Sequence, residues 1–219
     1  MKSIILNTDD ARAILDGRKT VARKVVKPQP PEWIEKLSGP EMYTPGIIDK
    51  YGDLQEGNPI YGVYDDDGDY GVKCPYNHGD ILWVRETWRV CQCGIYCYKA
   101  IGDCDTCCTT GENTFDVKWR PSVHMPREAA RIFLRVTDVR VERLQDITVE
   151  DVIAEGIDAD NDIRNPDPKT HESIKNWNLQ YAQFQYKGLW DSLNAKRGHG
   201  WDSNPWVWVI SFEKAEEPV

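Results

Sequence analysis

The sequence predicts an α+β fold, a small β-barrel with flanking helices, from three observations. Several short runs alternate apolar with polar residues and are bounded by glycine or proline, which is typical of strands. Between these runs lie stretches with apolar residues at helical spacing. The 219 residues are 40% hydrophobic and 29% charged, which is ordinary for one globular domain over 1–219. None of the apolar runs approaches the roughly 18–20 residues that a bilayer span requires.

The first predicted helix begins near Thr8 and ends before Gly17. Thr8 is a typical N-cap residue, and Asp9 and Asp10 place negative charge in the first turn, where it interacts favourably with the helix dipole. Gly17 is a typical helix terminator. Prolines and glycines then mark a long irregular insert over 28–75.

Four further segments predict strands. Within the insert, 58–64 and 70–76 flank an acidic turn and predict a hairpin. The longest strand is predicted over 131–144, and its alternation changes phase after Thr137, which indicates a bulge or bend as in a small barrel. The closing strand over 205–212 places four apolar residues on one face, Trp206, Trp208, Ile210 and Phe212.

Two more helices are predicted before the closing strand. Thr148 and Asp151 resemble a capping box, so a short helix begins there and ends at Gly156. A longer helix over about 171–196 belongs to a helical insert at 158–197. Its predicted buried face consists of Ile174, Trp177, Tyr181, Phe184, Leu189 and Leu193.

Six of the seven cysteines lie within 91–108, in a predicted cysteine-rich hairpin insert over 90–116. A secreted disulfide scaffold would distribute its cysteines through a shorter chain. Clustered thiolates in an intracellular protein are instead typical of zinc, which takes four ligands in a tetrahedron. Free thiols without metal are the alternative, and the zinc content of purified protein distinguishes the two. The expected structural zinc (Zn) ligands are Cys91, Cys93, Cys104 and Cys107.

The net charge of −9 and the pI near 5.0 disfavour non-specific nucleic-acid binding over the whole surface. A local basic site remains open, because five basic residues occur with no acidic residue until Glu32. The N-terminal residues lack the apolar run of a signal peptide, so we expect a cytoplasmic protein with no membrane partner. The basic run is Arg18, Lys19, Arg23, Lys24 and Lys27.

Several strings together resemble the ASCH-domain proteins of the PUA-like superfamily, particularly the longer type encoded by phages and prophages. The resemblance covers nearly the whole chain and is weakest over 28–75 and the cysteine-rich insert. It implies a compact β-barrel that in its relatives handles RNA or modified nucleosides, here in the cytoplasm of a bacterial host. The strings are GRKT (17–20), GDILWVRETW (79–88), WRPSVHMPREAARI (119–132), RVERLQDIT (140–148) and WDSNPWVWVISFE (201–213).

Small bacterial proteins of this family are acetylcytidine amidohydrolases that use a lysine, a threonine three residues later and a distant glutamate. The resemblance assigns these roles to Lys19 and Glu155, but Ala22 stands at the threonine position. Amide hydrolysis needs a nucleophile, a base and an oxyanion donor, and Ala22 supplies none of them. Thr20 could replace the nucleophile, or Lys19 with a lowered pKa could activate water. A structural ion pair between Lys19 and Glu155 is the alternative.

Recognition of RNA or a modified nucleoside in a basic pocket is the preferred function. Phosphates need cationic donors, and unstacked bases need aromatic faces. Trp88 lies near Arg85 and is the candidate stacking residue, while His124 could be a base, a ligand or an ordinary loop residue. A solvated surface is the alternative interpretation of the basic run. The candidate ligand-binding residues are Arg18, Arg23, Lys24, Arg85, Trp88 and His124.

Hydrolysis of an acetylated cytidine by Lys19, Glu155 and Thr20 is the second hypothesis. A metal-dependent ribonuclease ranks third, since that chemistry gathers carboxylates around a divalent ion and only Glu86 and Glu155 are candidates. The sequence specifies neither protein partners nor the oligomeric state.

Overall fold

The structure, a computed structural model, describes residues 1–91, 94–102, 118–157 and 179–217. Its helices are α1 (Thr8–Leu15), α2 (Val149–Ala154) and α3 (Leu179–Asn194). Its strands are β1 (Lys2–Ile5), β2 (Val21–Val25), β3 (Ser38–Tyr43), β4 (Gly46–Ile48), β5 (Leu54–Glu56), β6 (Ile60–Tyr64), β7 (Gly71–Lys73), β8 (Ile81–Arg85), β9 (Trp88–Val90), β10 (Tyr96–Tyr98), β11 (Phe133–Arg143) and β12 (Trp206–Ala215).

A five-stranded sheet of order β1-β8-β11-β12-β2 forms the centre of the fold. β1 and β8 run parallel, and every other pair of neighbours is antiparallel. The remaining strands form smaller sheets of two or three strands. The α+β class is therefore confirmed. The described strands do not form the predicted closed barrel, because β1 and β2 are both edge strands.

A bulge in β11 accounts for the phase change in its sequence. The pairing of β11 with β12 shifts between Val136 and Asp138, so Thr137 is the additional residue. Val136 and Val139 are both buried, one on each side of the bulge. The predicted bulge in the longest strand is therefore confirmed.

Alternate residues of β12 face two hydrophobic cores on opposite sides of the sheet. α1 and segment 28–75 cover one side, and α2 and α3 cover the other. Val207 and Val209 face the α3 side, where Tyr186 and Trp190 pack against them. The opposite face carries the predicted set of Trp206, Trp208, Ile210 and Phe212.

The predicted buried face of the long helix is wrong at two positions. Phe184 is 69% exposed and Leu193 is 45% exposed. The inner face of α3 instead carries Ala182, Tyr186 and Trp190, spaced four residues apart. Leu189 packs partly against the same core, whereas Ile174 and Trp177 lie outside the described residues, as does the side chain of Tyr181.

Asn7, and not Thr8, caps α1. The Asn7 side chain accepts a hydrogen bond from the backbone N–H of Asp10 at 2.7 Å, and Asp10 accepts one from the backbone N–H of Asn7 at 3.3 Å. The cap thus lies one residue earlier than predicted, because Asn7 is the residue with extended backbone before the helix. This capping box fixes Asp10, which also contributes to the site described below.

Segment 28–75 forms an acidic lobe on one side of the sheet. Its predicted hairpin is confirmed, since β6 and β7 pair across the turn at 65–69. The segment carries ten acidic and three basic side chains, a net charge of −7 out of the total of −9. The other 171 residues therefore share a net charge of only −2.

The predicted cysteine-rich insert stays a prediction. β9 and β10 pair antiparallel at its start, but most of 90–116 lies outside the described residues. The first part of the predicted helical insert, 158–178, is also outside them. None of the helices in the described ranges is both long and apolar enough to cross a membrane.

Candidate functional site

A cavity of about 740 Å³ is lined by residues of both edge strands of the central sheet. Its wall includes residues that follow β1, residues of β2 and residues of α3. Both edge strands of the central sheet therefore contribute residues to the same cavity. The volume falls within the roughly 300–1,000 Å³ of small-molecule sites. Of the sequence-predicted residues, the wall contains Lys19, Ala22, Arg23, Lys24 and Glu155.

Lys19 and Glu155 form a buried ion pair in this wall. The Lys19 Nζ lies 2.5 Å from Oε2 of Glu155 and donates to the Glu155 carbonyl oxygen at 2.9 Å. A β-bridge joins the two backbones. Asp10 supplies a second carboxylate, 3.2 Å from the same Nζ. The structure thus joins residues that are 136 positions apart in the chain.

Gly156 allows the two segments to approach. Thr148 caps the start of α2 as predicted, and its hydroxyl accepts a hydrogen bond from the backbone N–H of Asp151 at 3.2 Å. Gly156 follows the end of this helix and has a φ of +88°. A Cβ atom at position 156 would lie 2.9 Å from Cβ of Ala13 and 3.0 Å from Cβ of Lys19. Only glycine fits this close contact without displacing Lys19.

The carboxylates around Lys19 keep it protonated. Burial alone would lower the pKa of Lys19, but Glu155 and Asp10 outweigh this effect and raise the pKa above its usual value. The sequence-based expectation of a lowered pKa is therefore wrong, because the nearest charges are carboxylates rather than arginines. Lys19 is suited to donate hydrogen bonds and not to accept a proton at neutral pH.

Arg23 organises the carboxylates behind the cavity wall. Its side chain is fully buried, with Nη2 2.7 Å from Glu142 and 2.8 Å from Asp151, and Nη1 3.3 Å from Glu155. The oxygen of Glu155 that Arg23 contacts is Oε1, and the Tyr186 hydroxyl donates a hydrogen bond to it at 3.1 Å. Both oxygens of the Glu155 carboxylate are therefore engaged, one by Lys19 and the other by Arg23 and Tyr186.

Three other cations line the cavity without such partners. The side chains of Lys24, Lys27 and Arg197 make no ion pair or hydrogen bond with any of the described residues. The two carboxylates in the wall, Asp10 and Glu155, both contact Lys19. The uncompensated charge of the cavity is therefore positive.

Arg18 and Thr20 lie outside the cavity wall. The Arg18 guanidinium donates to the Gly156 carbonyl oxygen at 2.7 Å and pairs with Asp16 at 3.0 Å. Thr20 has an exposed side chain, and its backbone N–H donates to the carbonyl oxygen of Ala154 at 2.8 Å. Consecutive residues of an extended chain point in opposite directions, so the burial of Lys19 turns Thr20 outward.

Trp88, Arg85 and His124 also lie outside the wall, although two of them border it. Trp88 is 4% exposed and packs against Tyr96 with ring centroids 5.8 Å apart, so it offers no free face to a base. Arg85 donates a hydrogen bond to the carbonyl oxygen of Val123, a residue of the wall. His124 is exposed and follows Val123 directly.

The described residues contain no cluster of three potential metal ligands. Glu86 is 1% exposed and binds Arg131 through both carboxylate oxygens, at 2.9 and 3.0 Å. It is not part of the cavity wall that contains Glu155. Cys91 is buried and disulfide-bonded, a state in which its sulfur is not a thiolate and is not available as the expected zinc ligand. The other three expected zinc ligands, Cys93, Cys104 and Cys107, lie outside the described residues, so the zinc site stays a prediction.

Sequence reasoning missed Asp10, Tyr186 and Arg197 as residues of the site. Asp10 does lie in the first turn of α1, and this position already accounts for its negative charge in the sequence, so nothing marked it as a residue of the site. Tyr186 could have been found from its four-residue spacing to Ala182 and Trp190. No local signal identifies Arg197, because it reaches the cavity through the position of α3.

The buried network, which consists of Arg23 and its carboxylate partners Glu142, Asp151 and Glu155, predicts that the stability of the protein depends on pH. Burial raises the pKa of Asp151, but hydrogen bonds from Arg140 at 2.8 and 2.9 Å and the charge of Arg23 outweigh this and lower it. A lowered folded-state pKa gives stability that is fully present above the unfolded value of about 3.9 and is lost as the pH falls through the folded value.

We therefore expect wild type to lose more unfolding free energy than Asp151→Asn between neutral pH and about pH 3. Urea denaturation at both pH values measures the two losses. Asp9→Asn is the matched control, since the Asp9 side chain is 87% exposed and should leave the loss unchanged. An equal loss in wild type and Asp151→Asn would contradict the prediction.

Comparisons with models of protein families, with curated proteins and with solved structures find no match to this chain. The chemistry of the cavity therefore carries the functional argument. One part of the wall contains the polar side chains of Lys19 and Glu155, which hold each other in place. Another part presents cations whose side chains form no ion pair with the described residues. Such a wall can bind a ligand that combines a polar ring with negative charge.

Proposed function

We propose that this chain is an ASCH-type protein of the PUA-like superfamily that binds RNA or a modified nucleoside in the cavity. The observation that carries the proposal is the uncompensated positive charge of the wall, contributed by Lys24, Lys27 and Arg197. Cationic side chains are the usual partners of phosphate oxygens. This charge persists in a protein with a net charge of −9.

The remainder of the wall suits a nucleoside. Tyr186, Leu189 and Trp190 of α3 contribute aromatic and apolar surface, which is what the face of a base contacts. Lys19 and Glu155, paired with each other, add a fixed polar section to the wall, beside which the polar edge of a base can lie. Because buried ion pairs hold both side chains, little conformational entropy is lost on binding.

Hydrolysis of an acetylated cytidine is the second candidate, since Lys19, Ala22 and Glu155 lie together in the wall. Ala22 supplies no nucleophile, so a water molecule would have to attack. A protonated Lys19 could stabilise an oxyanion but could not activate that water. Both oxygens of Glu155 are engaged by other side chains. These contacts favour binding over turnover.

Two exposed residues of α3 test where RNA binds. Leu193 lines the cavity and is 45% exposed, whereas Phe184 is 69% exposed and does not line it. Leu193→Asp adds negative charge to the wall without touching the buried network, so we expect about tenfold weaker binding of single-stranded RNA. Phe184→Asp, with the same charge change on the same helix, should bind like wild type. Fluorescence anisotropy measures both, and equal effects of the two substitutions would refute the cavity as the site.

Incubation with acetylcytidine separates recognition from hydrolysis. Calorimetry should detect binding, and chromatography should detect no cytidine beyond that of a blank. Release of cytidine that disappears in Lys19→Ala would replace the binding proposal with the amidohydrolase. Circular dichroism of the Lys19→Ala variant would show whether it still folds.

A further inference from the structure

Two segments bring the unpartnered cations to the cavity. Lys24 belongs to β2 and Lys27 follows it closely, whereas Arg197 follows α3. Arg197 is 170 or more positions from the two lysines in the chain, and yet all three residues line one cavity. None of the three side chains makes an ion pair or hydrogen bond within the part of the chain that the structure describes.

The other two cations of the wall are already neutralised. Lys19 contacts Asp10 and Glu155, and Arg23 contacts Glu155 and two carboxylates behind the wall. A ligand anion would gain little from them, since their charge is balanced within the protein. The site for an anion is therefore the second set of cations, Lys24, Lys27 and Arg197.

Lys24 is the least solvated of the three. It is only partly exposed, and burial lowers its pKa, an effect that the charge of Asp10 partly offsets. A partly buried ammonium group without a partner is unfavourable, and a bound anion would relieve this penalty. Lys27 and Arg197 are exposed and can move to meet the same anion.

We propose that Lys24, Lys27 and Arg197 bind the phosphate of a single nucleotide whose sugar and base occupy the rest of the cavity. This inference rests on the proposed function and names its ligand class. A volume of about 740 Å³ matches one small ligand rather than a stretch of duplex. Three cations suit a phosphate monoester, which carries about −1.5 to −2 charges at pH 7.

The test compares nucleosides with their 5′-monophosphates by calorimetry. Adenosine, cytidine, guanosine and uridine are each titrated beside the corresponding monophosphate at neutral pH. We expect at least one monophosphate to bind about tenfold or more tightly than its nucleoside. Because the second pKa of a phosphate monoester is about 6, this preference should shrink on going to about pH 5.

The double variant Lys27→Ala/Arg197→Ala removes the two exposed cations and leaves the buried network in place. We expect it to bind the monophosphate more weakly, so that its affinity for the monophosphate approaches its affinity for the nucleoside. Lys36→Ala/Lys196→Ala removes the same charge from exposed lysines that do not line the cavity, one of them adjacent to Arg197, and should keep the preference.

The outcomes distinguish this inference from the proposed function. Equal affinity for nucleoside and monophosphate, or an equal loss of preference in both double variants, would overturn the phosphate site. Binding of RNA without binding of any mononucleotide would overturn it as well and would leave the proposed function standing. Binding of none of these ligands would overturn both.

Discussion

Replacing Arg23 with alanine is expected to lower the free energy of unfolding by about 3–5 kcal/mol. The Arg23 side chain is fully buried and contacts Glu142, Asp151 and Glu155 within 3.3 Å. Its removal leaves three carboxylates with less compensating charge in a poorly solvated place, which is more costly than the loss of the contacts themselves. Chemical denaturation monitored by tryptophan fluorescence measures the change.

Arg135→Ala is the matched control for this prediction. Arg135 also forms an ion pair with a glutamate, but Arg135 and Glu213 are 56% and 61% exposed and lie 3.5 Å apart. Solvent screens such a pair, so its loss should change the free energy of unfolding by less than about 1 kcal/mol. A similar small change for both substitutions would mean that the network around Arg23 does not stabilise the fold.

Gly156→Ala is expected to be the next most damaging substitution, at about 2–4 kcal/mol. The backbone at Gly156 has a φ of +88°, and an added Cβ would meet Ala13 at 2.9 Å and Lys19 at 3.0 Å. The methyl group would push Lys19 away from Glu155 and so disturb the cavity wall. We therefore expect weaker ligand binding together with the lower stability.

Gly68→Ala separates the backbone effect from the steric one. Gly68 has a similar φ of +82°, but no atom lies within 4 Å of an added Cβ. This substitution should destabilise the protein by only about 1 kcal/mol. Equal destabilisation by the two alanines would show that the contact with Lys19 imposes no constraint. Thermal denaturation of both variants beside wild type provides the comparison.

Local patterns predicted those elements whose cause is local. The bulge at Thr137 was visible because a change of apolar phase requires an additional residue. Thr148 and Gly156 were recognised because caps and positive φ angles have characteristic residues. The inner face of α3 was missed at Phe184 because two apolar stripes compete on that helix, and the packing against β12 selects one of them.

The candidate site was predictable in part. Lys19 and Glu155 were selected through a family resemblance, and they are paired in the cavity wall. Arg23 was expected to be available to a ligand because no acidic residue follows it until Glu32. Its actual partners lie 119–132 positions away in the chain, on β11 and around α2, so no local charge count could reveal them.

The acidic lobe makes the charge distribution of the molecule asymmetric. Segment 28–75 carries −7 of the net charge of −9 and contributes no residue to the cavity wall. The negative lobe and the cations of the cavity wall together give the protein an electric dipole. The field of an approaching polyanion rotates such a protein before the two molecules touch. If the proposed RNA binding is correct, encounters with RNA should favour orientations in which the lobe points away from the phosphates. Added salt should slow association as well as weaken binding, because it screens the torque that aligns the protein during its approach.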